Sequence, residues 1–579
     1  MTNAWRLTMR LKANDGSLVI TQPMRSNTVS GCPRPAIGDI VYATYNCRPL
    51  NPAVQSEGTP PDTSFGSGNL SVSRFTSRDL AAAWLLAAAV VALQMFTNGR
   101  YGYFRDELYF LACSDHLAWG YVDFAPLVAF VARASSVVLG DSLHALRFLP
   151  ALAQGAEVLF TGLVARELGG KRFAVFVSAL CVAVSPVILG NATRLSMNPF
   201  EPLFWMGSVY FLLRAVNANT PRLLLWCGVL LGFGLENKHS TAFFIASLGV
   251  GLLLSPTRRL LLNKWLWLAA AVAFLIFLPN LLWQYTNHFP TLEALRNVQK
   301  THKNIELPPL PFLRQQIMML LPLSAAVWIP GLAYLLLSAR MRTFRFLAFT
   351  YVVFLAVMMR LHGKDYYLAP IYPMLFAAGG VVWEIVLVRS RLGWLRYALP
   401  AGILALGMVA VPLNVPVLPP DKIVPYMNAL GVGISRTETH DNGPLPQHFG
   451  DEFGWQEMVA ATAQVYNALP AAIRAKTGIL AGTYGDAGAI DFFGPRYGLP
   501  KSISPHQNYY LWGPRNYTGE SVILLHYSLA DAQRSCESVQ IGPALNPQYG
   551  MQEEHYTILV CRNSKVPLSE AWPLLKVWN

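Results

Sequence analysis

Long apolar runs separated by short polar loops fill the chain between residues 80 and 418. The runs fall roughly at 80–96, 143–165, 172–190, 200–216, 222–235, 240–255, 264–285, 312–337, 343–360, 366–388 and 395–418. A membrane-crossing helix wants about 20 mostly apolar residues. The pattern therefore predicts a polytopic α-helical membrane protein, with the ends of the shorter runs open by about a turn. A further apolar run, 124–139, could cross the membrane or lie along its surface, and the loops decide between these.

Lys and Arg prefer cytoplasmic loops. The segments RFTSRD (74–79), GGKR (169–172), SPTRRLLLNK (255–264), SARMRTFR (338–345) and VRSRLGWLR (388–396) are all basic and poor in acids. Placing all five on one side forces the chain to leave through 80–96 and return through 143–165. The run 124–139 is then an interfacial or re-entrant helix on the far side. This parity predicts eleven spans plus a juxtamembrane helix, an internal N-terminus and an external segment 419–579.

Composition agrees: 53% of the 579 residues are hydrophobic and 13% charged, against about 25% charged in a soluble domain. The formal charge of +13 is absorbed by topology-setting loops, so no nucleic-acid partner is expected. The first apolar run starts too far in for a signal peptide at Met1. Residues 1–77, rich in Ser, Thr, Gly, Pro and Asn, read as a disordered cytoplasmic tail or a start assigned too far upstream.

Residues 78–418 form the membrane domain and 419–579 change character. In the latter, ATAQVYNAL (461–469) predicts a helix; TGILAG (477–482), SVILLHY (521–527) and YTILVCR (556–562) predict buried strands. YGDAGAIDFFGPRYGLP (484–500) reads as a Gly- and Pro-punctuated connection. A small exported α/β domain fits, without a phosphate-binding glycine loop. If it is exported to an oxidising compartment, Cys536 and Cys561 are candidates for a disulfide.

The loops on the external side carry the chemistry. They hold RDELYF (105–110), YVDFAPL (121–127), RLSMNPFE (194–201), ENKHS (236–240), residues 286–311 and HGKDYYLAPIYP (362–373). A charge at bilayer depth costs about 2.5–3.5 kcal/mol, so such groups face a wet, protein-lined cavity. Each also has a plainer reading. Asp106 and Glu107 form an acid pair or a solvated loop with Arg105 bound to Glu107. Glu201 sits between Pro199 and Pro202, where a helix N-terminus alone favours an acid. Lys238 pairs with Glu236 or faces a ligand. Tyr366 and Tyr367, beside Lys364 and Asp365, suit an interfacial aromatic belt.

Taken together, FRDELYFLACSDHLAWGYVDFAPLVAF, LRFLPALAQGAEVLFTGLVARELGG, LSMNPFEPLFW, GLENKHS and GKDYYLAPIYP resemble glycosyltransferase family 39. This is the protein mannosyltransferase and aminoarabinose transferase type, with the GT-C membrane fold. The resemblance covers most of 80–420, and GDAGAIDFFGPRYGLP resembles the exoplasmic domain of a bacterial branch. It implies that the acidic pair after the first span is Asp106–Glu107 and that the second carboxylate is Glu201. Lys238 and Lys364 match the phosphate-binding basic residues. Where many relatives carry a basic or His residue and two prolines, this chain has Phe124, Ala125 and Pro126. Arg105 or Arg194 would then supply the missing cation.

The implied reaction moves a hexosyl or pentosyl group from a polyprenyl-phosphate donor to a lipid, polysaccharide or protein acceptor, on the exoplasmic face of a bacterial inner membrane. The phosphate leaving group needs cations and the acceptor needs a base, here Asp106, with Glu201 orienting the acceptor. One displacement inverts the anomeric centre. Two carboxylates could also bracket a divalent metal ion, although no metal motif is written in the chain. A transporter or flippase for a lipid-linked or acidic solute shares the polar cavity; it usually shows paired halves, and no internal repeat is visible. A non-catalytic scaffold leaves the membrane-depth charges unexplained.

Overall fold

The computed structural model describes residues 79–389, 392–434 and 443–579; the tail expected at 1–77 lies outside them. The first apolar run forms α1 (Ala81–Thr97), followed by two short helices, α2 (Arg105–Asp115) and α3 (Leu127–Leu139). At 1.5 Å per residue, the 13 residues of α3 cannot cross a bilayer, which suits an interfacial helix. The bundle continues with α4 (Leu143–Glu167), α5 (Arg172–Ala183), α6 (Pro186–Asn191), α7 (Phe200–Asn217), α8 (Leu224–Asn237), α9 (Ser240–Leu254) and α10 (Lys264–Thr286). Then come α11 (Pro290–Lys300), α12 (Pro309–Met319), α13 (Ala325–Leu337), α14 (Arg345–Arg360), α15 (Tyr372–Arg389) and α16 (Leu395–Ala410).

Among the described residues, five helical stretches are long and apolar enough to cross a membrane, or up to seven if each of two bent pairs counts as one span. Two expected runs are broken. The run 312–337 bends by 98° between α12 and Pro322–Leu337: Leu321 takes a left-handed φ of 80°, and Pro322, which lacks an N–H, starts a new turn. The run 172–190 stops at α5 and restarts at Pro186 as α6. Small residues let backbones touch elsewhere. A Cβ on Gly379 of α15 would lie 2.0 Å from the Val327 carbonyl oxygen of α13, so only glycine permits that crossing.

The C-terminal segment contains α17 (Pro420–Ala429), α18 (Gln447–Gly450), α19 (Trp455–Asn467), α20 (Ala471–Arg474) and α21 (Tyr484–Phe493). Its sheet has strands β1 (Thr477–Ala481), β2 (Ser521–Leu525), β3 (Cys536–Ala544) and β4 (Thr557–Ser564) in the order β1-β2-β4-β3. β1 and β2 are parallel and fully buried, which explains their unbroken apolar sequence. β4 runs antiparallel to both β2 and β3, and a Cys536–Cys561 disulfide ties β3 to β4.

Two elements differ from the sequence reading. β3 was not expected, because it is an edge strand with mostly exposed side chains and carries no apolar alternation. Residues 484–493, read as a connection, are the helix α21. Its glycines serve close packing: a Cβ on Gly488 would lie 2.7 Å from the backbone of Leu108 in α2. One apolar core holds Leu108, Tyr109 and Phe110 of α2 together with Trp455, Ile479, Ile490, Ile523 and Val560. The α/β segment therefore shares its interior with α2.

Candidate active site at the loop end of the bundle

The polar loops meet one another through specific bonds. Glu107 accepts the Leu195 N–H at 2.7 Å. Asn237 donates to the Met197 carbonyl at 2.8 Å. His239 bonds Asn280, whose amide donates to the Trp119 carbonyl at 2.9 Å. Gln284 donates to the Tyr121 carbonyl. The ammonium of Lys238 lies 4.5 Å from the Tyr367 ring centre and 5.8 Å from that of Tyr366. The segments carrying Asp106, Asp123, Glu201, Lys238 and Tyr366 thus form one connected end of the bundle.

Asp106 and Glu107 are adjacent but differently placed. The Tyr484 hydroxyl donates to Asp106 Oδ1 at 2.8 Å, and Asp106 remains half-buried. Glu107 is fully buried and saturated. Arg147 of α4 donates to both its oxygens at 2.9 and 2.7 Å, and the backbone N–H groups of Leu195 and Phe104 fill the other acceptor positions. A carboxylate offers about four such positions, so Glu107 has none left for a substrate. Its counter-ion is Arg147, not Arg105. Arg147 also meets Glu452 at 3.5 Å, and burial pushes the Glu452 carboxyl up to about 7 against the pull of Arg147 and Arg194.

Arg105 turns to the C-terminal segment, where it meets Asp451 at 3.6 Å and pairs with Glu553. Arg194 donates to the carbonyls of His448 and Gly190 at 2.9 and 3.1 Å and covers the Phe104 ring. Both guanidinium groups, expected to face a substrate, are engaged inside the protein.

Glu201 opens α7, almost fully buried, and meets Lys238 at 3.0 Å. The Ser240 hydroxyl donates to its other oxygen, and Lys238 also donates to Asn198 at 3.0 Å. The alternative pairing of Lys238 with Glu236 does not occur: among the described residues, no hydrogen bond reaches the buried Glu236 carboxylate. Lys364, half-buried, precedes the short helical turn Asp365–Ile371 that carries Tyr366 and Tyr367.

Sequence reasoning named the segments that hold Asp123 and Lys303 without singling out either residue, and it missed Arg147, Asp451, Glu452 and Tyr484. Tyr109, stacked on Tyr484 at 4.7 Å, donates to Asp123 at 3.0 Å. Asp123 is exposed, yet the protein around it pushes its carboxyl up to about 7, with the Asp106 charge adding to the effect. Lys303 stands within electrostatic reach of Asp123 and of His506. The one available signal was Arg147 itself, a charge inside an apolar run. Among the described residues, neither Asp106 nor Glu201 belongs to a cluster of three potential metal ligands.

In architecture and in sequence, the chain resembles membrane glycosyltransferases of the aminoarabinose transferase and protein mannosyltransferase type. Residues 123–283 match the family model "Dolichyl-phosphate-mannose-protein mannosyltransferase". The chain is 26% identical over 197 residues to the lipid A galacturonosyltransferase RgtD of Rhizobium johnstonii, a match spanning 34% of this chain and 41% of that protein. It superposes on ArnT from Cupriavidus metallidurans bound to undecaprenyl phosphate with a TM-score of 0.55 at 14% identity, covering 83% of this chain and 98% of that one. Against apo ArnT of the same organism the TM-score is 0.52 at 14% identity, covering 82% and 97%.

Proposed function

We propose that the protein is an integral membrane glycosyltransferase that moves a sugar from a polyprenyl-phosphate donor to an acceptor on the exoplasmic face of a bacterial inner membrane. The observation that carries this reading is Asp106: Tyr484 holds one of its oxygens, and among the described residues no hydrogen bond reaches the other. A carboxylate fixed in this way is a ready general base. The acceptor oxygen or nitrogen attacks the anomeric carbon as the carbon–oxygen bond to phosphate breaks. The bonding pair leaves with the polyprenyl phosphate, and the acceptor proton passes to Asp106. One displacement inverts the anomeric centre.

Glu201, held by Lys238 and Ser240, orients the acceptor. Lys364, Lys303 and Lys238 supply positive charge for the departing phosphate. The donor class follows the ArnT likeness, and the RgtD likeness favours a lipid over a polysaccharide or protein acceptor.

Purified protein incubated with a labelled polyprenyl-phosphate sugar and envelope lipid should release polyprenyl phosphate and form a glycosylated product. Transbilayer movement of the intact donor without bond cleavage would overturn the reading in favour of a transporter. A mass spectrum of envelope glycans with and without the gene identifies the acceptor.

A further inference from the structure

We propose that Asp486, His526 and Glu554 form a binding site for a divalent transition-metal ion of the zinc class, which clamps three loops of the C-terminal segment behind the candidate active site. One ligand atom from each residue lies within 4.8 Å of the others. They come from the first turn of α21, the residue after β2 and the turn before β4. One imidazole and two carboxylates suit zinc better than magnesium, which takes oxygen ligands. With bonds of about 2.0–2.2 Å, ligand atoms around tetrahedral zinc stand roughly 3.4 Å apart, so small side-chain rotations complete the site.

Independent features point to a ligand here. Glu554 is only 6% exposed, and among the described residues no hydrogen bond or ion pair reaches its carboxylate. The His526 Nδ1 is buried without a hydrogen-bond partner, 3.7 Å from Asp486 Oδ2. His526 holds this position in a left-handed backbone conformation, φ 63°, which a non-glycine residue seldom adopts. Arg105 is engaged by Asp451 and Glu553 rather than by Glu554.

Asp486 is oriented as metal ligands usually are, by bonds behind the carboxylate. Tyr556 donates to its Oδ1 at 2.9 Å and Thr483 to its Oδ2 at 2.6 Å. The position gives the ion a structural task. Tyr484, two residues before Asp486, holds Asp106; Glu553, next to Glu554, holds Arg105. A cation joining the loops fixes both.

Full-length protein, purified in detergent with a tag lacking histidine and stripped with a chelator, should take up one zinc ion per chain and melt several degrees higher once loaded. Glu554→Gln and His526→Asn should each weaken zinc binding at least tenfold. Tyr556→Phe, which removes only a hydroxyl, should weaken it about 10–100-fold without unfolding the chain. The exposed control Glu537→Gln should bind like the wild type. Equal binding by all variants would mean adventitious metal. No uptake, with Asp486 and Glu554 sharing a proton by infrared spectroscopy, would also overturn the proposal. Because the readouts are metal content and melting, either result stands apart from whether the protein transfers sugar.

Discussion

The Tyr484 hydroxyl donates a 2.8 Å hydrogen bond to Asp106 across 378 residues of chain. The next residue, Glu107, faces Arg147 in the protein interior. Successive residues on a helix point about 100° apart, so at the start of α2 one acid stays partly accessible while its neighbour anchors the helix. The C-terminal segment thus takes part in the site: it orients the proposed base.

Asp106→Asn keeps size and hydrogen bonding but removes the base. Turnover should fall by about 10²–10⁴, the usual weight of general-base catalysis, with the melting temperature unchanged. Tyr484→Phe should cost roughly tenfold, the weight of one hydrogen bond of about 1.4 kcal/mol. A labelled-donor transfer assay measures both, and near-normal turnover in Asp106→Asn would return the residue to a solvated loop.

The helices of the bundle were legible because burial in lipid writes long apolar runs, and the polar loops because charges there need a reason. The pairing of those charges was not legible. Arg147 gave a faint signal, a lone cation within LRFLPAL, but nothing local joins it to Glu107, 40 residues away. Asp451 and Glu452 lie in a loop whose sequence, GDEFGW, looks solvated until the fold buries it against Arg105 and Arg147. Helix α21 was hidden because glycine, a poor helix former, is what its close approach to Leu108 requires. The break before Pro322 could have been read from that proline.

Glu107→Gln should act on stability rather than on chemistry. It leaves the Arg147 charge in the interior without its bidentate partner, a change that costs about 3–5 kcal/mol. The variant should express poorly and melt well below Asp106→Asn. Equal thermal stability of the two variants would show that the buried pair does not hold α2 in place.

Glu452 sets a pH dependence with a definite sign. Burial pushes its carboxyl from an ordinary value near 4.5 up to about 7. Between those values the unfolded chain has released the proton while the folded protein still holds it. The residue therefore lowers stability progressively as pH rises through that window and no further above about pH 7. Glu452→Gln removes this loss. Its melting temperature relative to wild type should climb from pH 4.5 to pH 7 and then level off. A difference that is flat across the range would place the carboxyl outside this network.

Lys364 tests the donor side of the proposed site. It stands at the head of the turn whose Tyr366 and Tyr367 flank Lys238, so a phosphate drawn to Lys364 would have a second cation near by. Contact with the donor in both ground and transition states raises KM when lost; contact with charge that develops only as the bond breaks lowers kcat. A phosphate is already charged in the bound donor, so Lys364→Ala should raise the donor KM roughly tenfold, the weight of one charge-assisted hydrogen bond, and leave kcat within a few-fold of wild type. Asp106→Asn should do the reverse. If Lys364→Ala instead loses kcat with its donor KM intact, the lysine acts on charge that develops as the bond breaks. If it changes neither, the phosphate is held elsewhere, and Lys303, near Asp123 and His506, is the next residue to replace.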